Sequence, residues 1–329
     1  MMRTLLLLLC LSLVAPQALA APKVVSSIMP VNALVGAVME GVAVPRSLLP
    51  PGASPHSYAL RPSEARLMAE ADLIFWIGPE MERFLQRPLD TLAEGSRKVA
   101  LLRAHGLRLL KVRAADAFKA SDDHDDHDDH DDHDDHDDHD DHSEEDGHDH
   151  DHDHEPGSID AHIWMDPENA KVMIGAIAEA LSDIDPRNAD RYQRNAKAAL
   201  ALIDQTRELV RDRLAPYRTL RFVTYHDAYQ YFEAAFGLQS AGVVALNPET
   251  PPGARAMRRL RDSVQALGVT CAFFEPQYDG RTVHALTRDL GLGFSVLDPM
   301  GPIGKPGVGQ YRLMLLDMAD GFKLCAESS

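Results

Sequence analysis

Sixteen histidines are spread unevenly along this 329-residue sequence, and their grouping sets the chemistry it could perform. Eleven fall between Ser121 and Glu155, together with 21 acidic residues and no lysine or arginine. There Asp-Asp-His repeats seven times over Asp122–His142, supplying His124, His127, His130, His133, His136, His139 and His142. His148, His150, His152 and His154 follow in alternation. Neutral imidazole and carboxylate are ligands for zinc, copper and nickel. A flexible tract of exchangeable ligands predicts several weak metal sites rather than one of fixed geometry. The competing view, a solvated acidic spacer, does not account for so many histidines in 35 residues.

Five histidines lie outside the tract. His56 sits in Pro50-Pro51-Gly52-Ala53-Ser54-Pro55-His56-Ser57-Tyr58, a loop leading into a helix. His162 sits in Asp160-Ala161-His162-Ile163-Trp164-Met165-Asp166-Pro167, just ahead of a helix, and His226 follows the apolar run Phe222–Tyr225. Asp298 ends another apolar run, Phe294–Leu297. All four occupy strand-end or loop positions, where α/β sheets place their ligands. His105, before a glycine, and His284, inside a helical stretch, read as structural or surface residues. No His-Glu-x-x-His or Cys-x-x-Cys spacing is present. The residues alone therefore give a candidate cluster of three histidines and one aspartate, divided between two halves of the chain.

Those residues need a scaffold, and the composition provides for one. Forty-five per cent of the chain is hydrophobic, enough for a buried core. The net charge of −18 is local: the acidic tract carries −21 and the remainder +3. A near-neutral body argues against nucleic-acid binding. Residues Met1–Ala20 combine Arg3, the apolar run Leu5–Val14 and Ala18-Leu19-Ala20, the pattern of a secretory signal peptide cleaved after Ala20. Cys10 falls within that leader, which leaves Cys271 and Cys325. In an oxidising compartment a lone pair is a natural disulfide, with two buried thiols as the alternative.

Short β-rich runs alternate with helical spacing on both sides of the tract, which predicts α/β units around mainly parallel sheets. Candidate strands are Val24–Ile28, Leu73–Ile77, Val99–Leu101, Phe222–Thr224, Gly242–Val244, Val269–Phe274 and Phe294–Leu297. Asp166 and Pro167 start one helix as N-cap and first helical residue. Asp185-Pro186 opens a longer one, in which Tyr192, Ala196, Ala199, Ile203, Val210 and Leu214 recur at helical spacing until Pro216. The expected organisation is a leader (1–20), a first lobe (21–185) interrupted by a disordered loop (121–155), a connecting helix (186–215) and a second lobe (216–329).

The segments Pro50–Arg61, Asp160–Asp166, Val223–Glu233 and Thr270–Tyr278, with Leu297-Asp298-Pro299, together resemble the ZnuA-type periplasmic zinc-binding proteins, the solute-binding components of zinc ABC importers. The resemblance runs over essentially the whole mature chain, and the family's His-rich loop falls where residues 121–155 fall here. It implies two Rossmann-like α/β lobes joined by a long rigid helix, with metal in the cleft between them. It further implies zinc as the bound ligand, His56, His162 and His226 as its ligands, and Asp298 in or beside the coordination sphere. Cys271 and Cys325 match the disulfide of some zinc-specific members. The implied partner is an ABC membrane permease, the protein a monomer without enzymatic activity. Some members carry glutamate just before the first histidine, where this chain has Pro55, so the fourth ligand is expected to be Asp298 or water. Manganese-binding relatives place a carboxylate where His226 stands, so a manganese or iron binder is the alternative within the class. Outside it stand a secreted zinc-dependent hydrolase using the same three histidines, and a metal buffer acting through the Asp-His tract alone.

Overall fold

The computed structural model describes residues 21–113, 158–245, 248–249 and 253–328. The expected leader and the Asp-His tract lie outside the described residues. In the first half, β1 (Val24–Ser26), β2 (Arg46–Ser47), β3 (Leu73–Trp76) and β4 (Arg97–Ala100) form a parallel sheet in the order β2-β1-β3-β4. In the second half, β5 (Phe222–Thr224), β6 (Ser240–Val243), β7 (Cys271–Phe274) and β8 (Gly293–Val296) form a parallel sheet in the order β6-β5-β7-β8. In each sheet the strand order therefore reverses once, between β1 and β3 and between β5 and β7. Crevices at the carboxyl ends of such strand pairs are where open α/β sheets bind ligands.

The helices of the first half are α1 (Met29–Val38), α2 (Pro62–Ala69) and α3 (Gln86–Thr91), followed by α4 (Pro167–Ile184). Asp166 caps α4 by accepting from the Glu168 N–H at 2.9 Å, with Pro167 at the first helical position. Then comes α5 (Ala189–Leu214), a 26-residue rod roughly 39 Å long. Its buried residues Tyr192, Ala196, Ala199, Ile203, Thr206, Val210 and Leu214 make one continuous stripe. The second half adds α6 (Gln230–Phe236), α7 (Ala254–Ala266), α8 (Arg281–Leu290) and α9 (Val308–Ser328).

The long helix α5 is not alone in spanning the molecule: α9 packs against β8 and against both α5 and α1. Its hydrophobic stripe escapes simple periodicity because buried residues face several neighbours, from Tyr311 and Leu315 to Phe322 and Cys325. Gly321 permits the close approach to β8, since a Cβ there would stand 2.7 Å from the Val296 carbonyl oxygen. The Cys271–Cys325 disulfide, Cα atoms 5.9 Å apart, ties the end of α9 to β7.

Alternation along the second sheet divides its two faces. Phe222, Cys271 and Phe273 join a core that runs without a break through α5, α9 and the whole first lobe. Val223 and Ala272, one residue out of phase, face a smaller core beneath α7 and α8 with Val264, Val283 and Leu286.

Candidate metal centre

At the carboxyl end of β5 the chain runs directly into Tyr225 and His226, while the end of β7 runs into Glu275. Adjacent parallel strands thus bring these two residues together at the reversal point of the second sheet. His226 Nδ1 lies 2.7 Å from Glu275 Oε1, and both side chains are almost wholly buried. His226 Nε2 is left buried without a hydrogen-bond partner. In the first lobe, His56 arrives on the loop that follows β2. His162 arrives on the last residue before a 3₁₀ turn, Ile163–Met165, that leads into α4. Asp160 holds His162 twice: its Oδ1 accepts from the backbone N–H at 3.0 Å and lies 2.8 Å from Nδ1. Each of these carboxylates occupies one imidazole nitrogen and turns the other toward the centre.

The structure brings His56, His162 and His226 together, with one ligand atom of each within 4.8 Å of the other two. Their ring centroids are 5.4–5.6 Å apart. Among the described residues, no other histidine, cysteine or carboxylate joins this group. Zinc bonds nitrogen at about 2.0–2.1 Å, so the three nitrogens need close by little more than an ångström around an ion.

Asp298, expected in or beside the coordination sphere, is not one of the residues of this three-histidine group. It follows β8, at the outer edge of the sheet, whereas His226 and Glu275 follow the central strands. Its Oδ1 accepts from Gln277 Nε2 at 2.8 Å and from the Met300 N–H at 3.0 Å. His105 is exposed, and His284 packs on Phe274 and Phe294 in α8. Sequence reasoning did not assign roles to Glu275, Asp160 or Gln277. Asp160 had a local signal, a carboxylate two residues before a histidine. Glu275 had only a topological one, its position directly after β7.

The surroundings are buried and tightly joined. Trp164 packs on His162 and donates its indole N–H to the Pro299 carbonyl at 2.8 Å, across the lobes. Tyr278 stacks on Tyr225 and sets its edge against His226. Ser54, two residues before His56, donates to Glu249 at 2.8 Å and lies 3.1 Å from the Tyr278 hydroxyl. At the base of the tract, Lys111 pairs antiparallel with Ile159. Arg113 reaches across to Asp227 and Glu233, and Gln230 to the Lys111 carbonyl and Asp160.

This burial governs the charge state of the centre without metal. It pushes the His226 imidazole down to about 3, with neighbouring His162 adding to the effect. Burial likewise raises the Glu275 carboxyl well above its ordinary range. Neither group favours an isolated charge there, and a bound cation reverses that preference. A set of neutral nitrogen donors with carboxylates behind them suits zinc better than manganese, which prefers oxygen.

Known proteins resemble this chain over most of its length. The family model for the periplasmic zinc-uptake complex component A, ZnuA, matches residues 24–325. The high-affinity zinc uptake system protein ZnuA of Brucella abortus is 44% identical over 92% of this chain and 91% of its own. That of Paracoccus denitrificans is 40% identical, with the same coverage. Among solved structures, a ZnuA crystal structure superposes with a TM-score of 0.70 at 20% identity, covering 92% of this chain and 99% of that one. The periplasmic zinc-binding protein TroA of Treponema pallidum gives 0.69 at 20% identity, covering 93% and 99%. The chain therefore belongs to the ZnuA family of periplasmic zinc-uptake components.

Proposed function

We propose that this protein captures zinc in the periplasm with His56, His162 and His226 and delivers it to the permease of an ABC importer. The observation that carries this reading is the convergence of three imidazoles from two lobes, two of them oriented by buried carboxylates. Membership of the family makes the protein a transport component rather than a hydrolase. His226 distinguishes zinc from manganese or iron, since a nitrogen donor stands where a harder ion would call for oxygen.

Capture and release require the lobes to loosen around the ion. The main core is continuous from β1 through α5 and α9 to β7, so a wide hinge motion would expose it. Local motion of the His56 loop, tied to the second lobe through Ser54, is the less costly route. Export with cleavage after Ala20 and a monomeric state complete the proposal. The Asp-His tract would act as a secondary store of weakly held zinc.

The test is zinc affinity and stoichiometry by chelator competition on protein from Ala21 onward without Ser121–Glu155. One tight equivalent is expected, lost in His226→Ala. If the shortened protein binds no zinc tightly, the three histidines do not form the capture site.

A further inference from the structure

Besides the shared core, a patch of polar contacts joins the two lobes, and it lies beside two of the three histidines. Residues 110–113 and 158–160 of the first lobe form a short two-stranded ribbon. The Asp160 N–H donates to the Leu110 carbonyl at 2.9 Å, and the Val112 N–H to the Ser158 carbonyl at 2.7 Å. This ribbon rests on the start of α6 in the second lobe. The Tyr231 hydroxyl accepts from the Leu110 N–H at 2.9 Å and donates to the Asp160 carbonyl at 2.8 Å. Gln230 Nε2 donates to the Lys111 carbonyl at 3.0 Å and to Asp160 Oδ2 at 3.2 Å. Asp160 thus divides its carboxylate between the lobes: Oδ1 holds His162, and Oδ2 is held by Gln230.

Arg113 completes the patch with its charge. Its Nε donates to Asp227 Oδ2 at 2.9 Å, Nη1 to Glu233 Oε2 at 2.9 Å and Nη2 to Glu233 Oε1 at 3.0 Å. The three side chains are only 18%, 17% and 5% exposed, so salt screens them little. Asp227 directly follows His226, and Glu233 also accepts from the Ser240 N–H at 3.0 Å, which ties it to β6. Without the guanidinium, two buried carboxylates would be left beside each other. Forked, charge-assisted hydrogen bonds of this kind are the strong ones. Beside His56, by contrast, the Ser54 hydroxyl reaches Glu249 in a solvent-exposed contact. The lobes are therefore held harder on the side of His162 and His226 than at that hydroxyl.

Resting on the zinc reading above, we propose that Arg113 is an interlobe latch that sets how long zinc is retained. It holds the ribbon against α6, and through Gln230 and Asp160 the ribbon keeps His162 fixed relative to His226. Arg113 and Gln230 are positioning residues acting in series, and neither is a ligand. The latch acts on release more than on capture. Separating His162 from His226 breaks buried charged contacts, whereas the approach of an ion to the centre does not.

The experiment is stopped-flow release of zinc to a chelator from the full mature chain, whose slow phase reports the tightly held equivalent. Association rates and metal-free melts are measured alongside. Arg113→Met keeps the apolar stem and removes the charge. Release should quicken about 10–100-fold, the usual range for a residue that supports a metal ligand, with association nearly unchanged. Arg113→Lys keeps the charge without the fork and should release zinc at an intermediate rate. Gln230→Ala, at a half-buried position, should also quicken release while leaving the metal-free melting temperature in place. Combined with Arg113→Met it should give less than the product of the two effects, because both act through one ribbon. A native release rate in Arg113→Met overturns the proposal, as does a loss of affinity carried by slower association. Should the methionine variant not fold, native release in Arg113→Lys and Gln230→Ala together overturns it. A native rate in Gln230→Ala alone overturns the route through Asp160. His226→Ala serves as the control: a slow phase surviving there would overturn the capture site itself, whatever Arg113 does.

Discussion

Glu82 occupies in the first lobe the place that His226 and Glu275 occupy in the second, the reversal point of the sheet. Its carboxyl is fully buried, accepting from the Ser27 hydroxyl just past β1 and from the Ile77 and Gly78 N–H groups just past β3. Burial outweighs these three hydrogen bonds and pushes the group from 4.5 up to about 7. The folded state thus holds this proton more tightly than the unfolded chain. The stabilisation is fully present below pH 4.5 and is lost as pH rises through 7. Each unit corresponds to about 1.4 kcal/mol, so the whole effect is roughly 3 kcal/mol, of which about 2 kcal/mol falls between pH 5 and 7.5. Glu82→Gln removes the titration while keeping an acceptor for the two backbone groups and a donor for Ser27. Thermal melts of metal-free wild type and variant across that range should diverge, the wild type losing about 2 kcal/mol relative to the variant, or roughly 3 °C. Parallel stability curves from pH 5 to 7.5 would show that Glu82 does not titrate there and refute the reasoning.

Two further outcomes follow from other contacts. Cys271 and Cys325 enclose a loop with a sequence separation of 54, so replacing both with serine should cost about 4 kcal/mol through the restored freedom of the unfolded chain. Calorimetry should show a midpoint lower by roughly 6 °C, and a shift under 1 °C would contradict the argument. Asp160→Asn removes the carboxylate behind His162 Nδ1, and zinc affinity should fall at least about tenfold. Unchanged affinity by chelator competition would mean that this hydrogen bond does not prepare the histidine.

Much of this protein follows from local sequence. The alternation of short apolar runs and helical spacing specifies parallel α/β lobes because burial on both faces makes such strands hydrophobic almost throughout. Asp166-Pro167 fixes the start of α4 through capping alone, and the stripe from Tyr192 to Leu214 fixes α5 because each of its residues meets the same core. The histidines at strand ends point to a metal because imidazole is costly to bury without a partner. What local pattern does not carry is which residues from distant segments share a cavity. Strand order sets Glu275 against His226 by making β5 and β7 neighbours, and it leaves Asp298 beyond β8 against Gln277. α9 is legible only once both lobes exist, because its buried faces are defined by two partners rather than one. Residue types and their periodicity depend on each residue's nearest contacts along the chain. The order of strands and the contents of a cavity depend on pairings between separate segments, 49 residues apart for β5 with β7 and for His226 with Glu275, and those are decided by packing the whole.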